Sequence, residues 1–162
     1  MFRQAIKSDL PIIKEWIYER AVDLKKKELS QWAFYLNKEN TAILNHDFEQ
    51  GHLYVFLDQQ QELQGALVLM EGDQWDFDLW PDHTDVDAYY LHRVIVPITK
   101  KGQHIGSQLV TYAKEQAQAT NKILRLDCAR FSPFLRPFYE KHGFHLAKIL
   151  EEFYLFEWKP VK

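Results

Sequence analysis

The chain has 162 residues, a formal net charge of −3, a 15% aromatic share and a single cysteine. The length suits one domain with a real core, and the charge leaves no electrostatic footprint for nucleic acid. One cysteine, Cys128, excludes an intrachain disulfide and any Cys-rich metal site. The opening MFRQAIKSDL lacks the apolar stretch of a secretory signal, and the longest clean apolar run, Ala66 to Met70, is far too short for a bilayer. A reducing cytosol and no membrane are therefore expected.

Phe2 to Ile6 reads as a short first strand. Ser8 or Asp9 can cap the helix after it, with Pro11 in its first turn and Ile12, Ile13, Trp16, Ile17 and Val22 on an apolar face. The basic run Lys25 to Lys27 reads as a solvated helix end. From Leu29 to about Phe48, Trp32, Tyr35, Leu36, Ile43 and Leu44 suggest a second, less regular helix, and Gly51 stops it. His52 to Leu57 and Leu63 to Met70 are strands joined by the polar turn DQQQE.

Glu71 to His92 carries Glu71, Asp73, Asp76, Asp78, Asp82, Asp85 and Asp87 without Lys or Arg, interleaved with Trp75, Phe77 and Trp80. Either this loop binds a cationic amine by charge and ring faces, with Trp75, Asp76, Trp80 and Asp87 as contacts, or it is a solvated loop whose tryptophans pack inward. Ala88 to Val96 is the next strand. Ile123 to Cys128 reads as a buried strand, and Ser132 to His142 as a helix in which Pro137 requires a break or kink. Gly143 ends that helix, and strands near Phe144 to Lys148 and Phe153 to Trp158 close the chain.

Between Val94 and Tyr112 an apolar strand stops at Pro97, a basic turn with Gly102 and Gly106 follows, and Ile105, Leu109, Tyr112 and Ala113 recur at helical spacing. Such a turn can aim free N–H groups and a helix dipole at a phosphate, with Lys100, Lys101 and His104 adding donors. It can equally be an ordinary strand-to-helix connection. A dinucleotide fold fits poorly, because the glycine turn follows several strands and no acidic ribose partner follows it.

The frame Val94-x-Val96-Pro97 followed by Lys101-x-x-His104-x-Gly106 resembles motif A of the GNAT superfamily of acetyl-CoA-dependent N-acetyltransferases. Lys101 stands where that motif has Arg or Gln, and His104 where its first glycine sits. A non-Gly residue at positive φ costs roughly 1–2 kcal/mol, so the turn either keeps negative φ at His104 or uses the imidazole as a phosphate donor. FYEKHGF, Phe138 to Phe144, is similar to the family's motif B, and FRQAIKSDLPII to its first strand and helix.

The resemblance implies an α/β, GNAT-like mixed and mostly antiparallel sheet of about seven strands flanked by about four helices, one domain over residues 1–162. It also implies acetyl-CoA bound along Val94, Ile95, Val96, Lys101, Gly102, Gln103, His104, Ile105, Gly106 and Ser107. Ser132, in place of the usual Asn, and Tyr139 complete the cofactor contacts. Pantetheine would pair with strand amides exposed between the strand ending at Val96 and the one ending near Cys128, and an N–H near Val96 would hold the oxyanion. Tyr139 would protonate the departing thiolate, unless it is a core tyrosine. For the base, His92 and Asp87 are best placed, and whether His92 faces the cleft or a helix is left open.

The function so implied is acetyl transfer to a primary amine, small molecule or peptide, by direct attack on the thioester. A non-catalytic acyl-CoA sensor of the same fold is the other reading. The expected partners exclude nucleic acid, membrane and metal, and leave room for a homodimer.

Overall fold

The computed structural model describes all 162 residues. Seven strands form one sheet in the order β1-β2-β3-β4-β5-β7-β6: β1 Phe2–Gln4, β2 Leu53–Leu57, β3 Leu63–Met70, β4 Ala88–Ile95, β5 Ile123–Ala129, β6 His145–Ile149 and β7 Phe153–Trp158. The helices are α1 Leu10–Lys26, α2 Ile43–Glu49, α3 Gln74–Leu79, α4 Ile105–Thr120 and α5 Leu135–Lys141. The fifth helix is α3, inside the acidic segment read from sequence as a loop. No helix is long and apolar enough to cross a membrane. Contacts divide the chain into two compact units, one of Met1–Val68 with Arg93–Leu109, the other of Leu69–His92 with Val110–Lys162.

In the first unit, α1 buries Leu10, Ile13, Ile17 and Ala21, one stripe at helical spacing, while Ile12 stays exposed. Each fully buried isoleucine stabilises this unit by roughly 1.5–3 kcal/mol. Asp9 caps the turn ahead of α1 rather than α1 itself, accepting the Ile6 N–H at 2.8 Å and pairing with Arg3 at 2.7 Å. The expected irregular second helix is two short 3-10 turns, Ala33–Leu36 and Lys38–Ala42, that lead into α2. β2 alternates strictly, burying Leu53, Val55 and Leu57, and pairs antiparallel with both β1 and β3. Asp58 closes the β2–β3 turn by accepting the N–H groups of Gln60 and Glu62, each at 2.9 Å. Gly65 of β3 admits the first turn of α4: a Cβ there would stand 2.9 Å from Ile105 Cγ2 and 3.1 Å from the Ile95 carbonyl.

In the second unit, β5 pairs parallel with β4 from Ala88–Ile123 to Tyr90–Arg125 and antiparallel with β7 from Leu124 to Ala129. The core is Leu124, Leu126, Tyr139, Phe144, Leu155 and Phe156. Arg125, only 2% exposed, holds Asp82 with both terminal nitrogens at 3.0 and 2.9 Å and Glu157 through Nε at 2.8 Å. That network staples the acidic segment to the sheet. α5 starts at Leu135, so Pro137 lies in its first turn, where the missing N–H has no helical acceptor to lose and no kink is needed.

Candidate active site

In the first unit β4 ends at Ile95, Pro97 follows Val96, and the 3-10 turn Ile98–Lys100 leads into Lys101–His104 and α4. The Val96–Pro97 peptide has no N–H, and its carbonyl accepts from Arg20 Nη2 at 2.7 Å. Three residues before Val96, Arg93 takes φ +47° inside β4, so the strand carries a local break just before the turn. Its guanidinium grips Asp47 through Nε at 2.9 Å and Nη2 at 2.8 Å, with the Tyr35 hydroxyl beside it.

Gly102 has φ +83° and open space on the side a Cβ would take. His104 sits at φ +60°, which excludes the negative-φ alternative at this position. Histidine is one of the few residues that tolerate the left-handed region. The His104 carbonyl accepts the Gln108 N–H at 3.2 Å and so opens α4, leaving the amides at its head with no intrahelical acceptor. Lys27, held by Asp23 at 3.0 Å, lies against Lys101 and pushes the Lys101 ammonium below its ordinary range. The basic run therefore sends one of its lysines to the turn. His104→Gly is expected to raise the unfolding free energy by about 0.5–1 kcal/mol in urea titration. Relief of the left-handed backbone outweighs the extra entropy of an unfolded glycine. Lower stability in the variant would mean that the imidazole makes contacts worth more than that strain.

An open groove of about 560 Å³ runs along α1 in the same unit, bounded by Glu15, Trp16 and Glu19 on one wall and Pro97 and Thr99 on the other. Sequence reading placed acids and rings for a cation only in the segment after Glu71. The α1 side chains did not enter that reading, because Trp16 read as core.

The second unit holds Tyr139 and His92, the candidates for proton transfer. Tyr139 is buried in α5 with its ring against Phe144 and Phe156 at 5.6 and 5.9 Å. Burial, with Cys128 and Asp127 nearby, holds its hydroxyl far above the ordinary tyrosine range, so it keeps its proton. Burial pushes the Cys128 thiol up to about 12, which leaves it without nucleophilic thiolate. His92 Nε2 stands 2.9 Å from Asp76 Oδ2, and the Asp76 side chain is 1% exposed. Ser132 is buried at the loop after β5. Beyond Arg125 the register of β5 runs on with β7 alone, so Leu126–Ala129 present their other edge to an added strand.

The four residues singled out in the acidic segment take different places. Trp75 is half exposed and donates through Nε1 to Asp127 at 3.2 Å, its ring edge-on to Phe153. Trp80 is buried under the Arg125 guanidinium, 4.2 Å from its ring. Asp87 pairs with Lys122 at 3.3 Å, as does Glu71 at 2.9 Å. Asp76 faces His92. The partners that answer these acids come from β4 and β5 and from the turn before β5, so counting charge within the segment could not reveal them. Asp73, Asp76 and His92 bring ligand atoms within 4.8 Å of one another. Asp73 Oδ1 accepts the Asp76 N–H and Asp76 Oδ2 the Asp73 N–H, so both carboxylates also serve the cap of α3.

Residues 15–144 match the family model described as the acetyltransferase (GNAT) family. The chain belongs to the GNAT acetyltransferase family. This acetyltransferase is 26% identical over 155 residues to a Bacillus subtilis protein described as the uncharacterized N-acetyltransferase YesJ, covering 94% of this chain and 86% of that one. A GNAT-family acetyltransferase from Listeria monocytogenes matches with a TM-score of 0.84 and 27% identity, covering 98% of this chain and 94% of that one. The PaiA N-acetyltransferase of Thermoplasma acidophilum, solved in complex with coenzyme A, shares the fold at a TM-score of 0.67 and 16% identity, over 98% of each chain. With the family comes acetyl-CoA as acyl donor. The turn of the acetyltransferase suits a pyrophosphate chemically: positive-φ residues at Gly102 and His104, helix-head amides, two lysines and open space at Gly102.

Proposed function

We propose that this acetyltransferase transfers the acetyl group of acetyl-CoA to a primary amine, small molecule or peptide, by direct attack of the amine on the thioester. The reading is carried by Tyr139, a buried phenol that keeps its proton beside Cys128 and Asp127. Bound acetyl-CoA supplies an activated acyl carbon and a thiolate leaving group. Lys101–Ser107 would hold its pyrophosphate, Val94 and Ile95 of β4 with Val96 after them would line it, and Ser132 with the open edge of Leu126–Ala129 would hold its pantetheine.

His92 takes the proton that the amine loses as its C–N bond forms. Tyr139 gives a proton to the sulfur as the C–S bond breaks, and solvent exchange restores both groups. The products are the N-acetyl amine and CoA thiol. Direct transfer is favoured over an acyl-cysteine route because the one cysteine keeps its thiol proton. An ammonium acceptor is in keeping with Glu15, Trp16 and Glu19 along the α1 groove. The match of the family model across residues from both units supports treating 1–162 as one domain. The free Cys128 is in keeping with a reducing cytosol.

Isothermal titration of the purified protein with acetyl-CoA, NAD and ATP tests the cofactor assignment, followed by thiol release with tyramine, spermidine and an alanyl peptide. Acetyl-CoA alone should bind, at micromolar concentration, and at least one amine should release thiol. Binding without amine-dependent release would leave the fold as a CoA sensor and remove the catalytic roles given to Tyr139 and His92.

A further inference from the structure

We infer that Asp76 is the positioning carboxylate of a His92–Asp76 dyad, built on α3, that sets the tautomer and basicity of His92. This rests on the reading of His92 as the base.

The helix α3 has six residues, and Asp76 is the one among them that is buried. Asp73 and Asp76 cap it reciprocally, each side chain accepting the other's backbone N–H. That lock points the remaining capacity of Asp76 Oδ2 at His92 Nε2, 2.9 Å away, with the carboxylate 1% and the imidazole 12% exposed. A capping box alone needs no histidine partner, and an exposed histidine needs no buried carboxylate. A buried carboxylate without a cationic or donor partner is costly, so the sequence bears this charge for a partner. Burial pushes Asp76 above the ordinary carboxylate range while His92 draws it back.

The same helix reaches β5 through Trp75, whose Nε1 donates to Asp127. Asp127 is likewise raised by burial and drawn back by His92 and Trp75. His92 is therefore faced by Asp73 and Asp76 from the start of α3 and by Asp127 from β5. Asp76 touches it directly, at 2.9 Å. An ionised carboxylate accepts and cannot donate, so it keeps the neutral imidazole proton on Nε2 and makes Nδ1 the basic nitrogen. The same charge stabilises the imidazolium that forms when the amine is deprotonated.

Asp76→Asn keeps the shape and an acceptor oxygen for the cap but removes the charge. A carboxylate in contact raises an imidazole, so its loss lowers the His92 titration midpoint. NMR titration of the His92 ring in the CoA-bound protein should show it moving down by about one pH unit. The acid limb of kcat/KM for whichever of tyramine, spermidine or alanyl peptide is turned over should move with it. Plateau kcat should fall about tenfold as the weaker base accepts the proton less readily, with acetyl-CoA affinity unchanged within twofold. A His92 midpoint that stays in place in folded Asp76→Asn overturns the dyad. His92→Gln separates the two readings. Undiminished turnover there with the same acid limb removes His92 from proton transfer, whereas lost turnover there with an unmoved midpoint in Asp76→Asn removes only Asp76.

Discussion

Tyr139→Phe is expected to lower kcat by about 10²- to 10⁴-fold, the range that a positioned acid contributes, while acetyl-CoA binds as before. The ring is fixed by Phe144 and Phe156, so the variant keeps its packing and loses only the hydroxyl. The two groups near it on β5 are poorer acids: Cys128 is a thiol at about 12, and Asp127 is committed to Trp75. Single-turnover thiol release, with titration calorimetry on the same preparation, separates chemistry from binding. Equal rates in the two proteins would assign Tyr139 to the core alone.

Asp47→Ala is expected to cost about 3–5 kcal/mol of unfolding free energy, because it strands a buried guanidinium. Asp47 and Arg93 are 2% and 14% exposed along their side chains and meet through two parallel hydrogen bonds. The same arginine carries the positive φ within β4, a conformation that a side chain bears at roughly 1–2 kcal/mol. The ion pair holds that break in place where the strand turns toward Pro97. Urea denaturation should show the midpoint falling with an unchanged slope. The double change Asp47→Leu with Arg93→Met should recover most of the loss, since an apolar pair leaves no charge unanswered. A loss below about 1 kcal/mol for Asp47→Ala, the level of a surface pair, would mean that water reaches Arg93.

Where one physical signal governed a segment, the sequence was legible. β3 and β7 have the expected ends, Leu63 to Met70 and Phe153 to Trp158, because each is a hydrophobic run bounded by turn residues. The family's fold and the strand-turn-helix at Pro97–Ile105 were legible for the same reason, as glycines and spacing mark them locally. α3 was not, since six residues rich in Asp and aromatics lack helix propensity, and only the Asp73–Asp76 cap signals it. Without α3 the facing of His92 was undecidable, because alternation gives two faces and no label for either. His104 was undecided in the same way: composition names the residue, and only the backbone around it sets φ. The roles of Arg93 and Arg125 were invisible. Their partners, Asp47, Asp82 and Glu157, lie far off in the chain, and a charged residue in a strand reads as surface until its partners are known.

From a distance, Gly65 works on the turn proposed to hold the cofactor. With no side chain on that strand, α4 settles so that Ile105 and the Ile95 carbonyl close over a bare backbone. A methyl group there would lift the head of the helix outward, and its amides would rise with it. The depth of the seat proposed here for a pyrophosphate is thus gauged by a residue outside the turn itself. Relatives with alanine at the matching position should hold their acyl donors at a different height over the sheet.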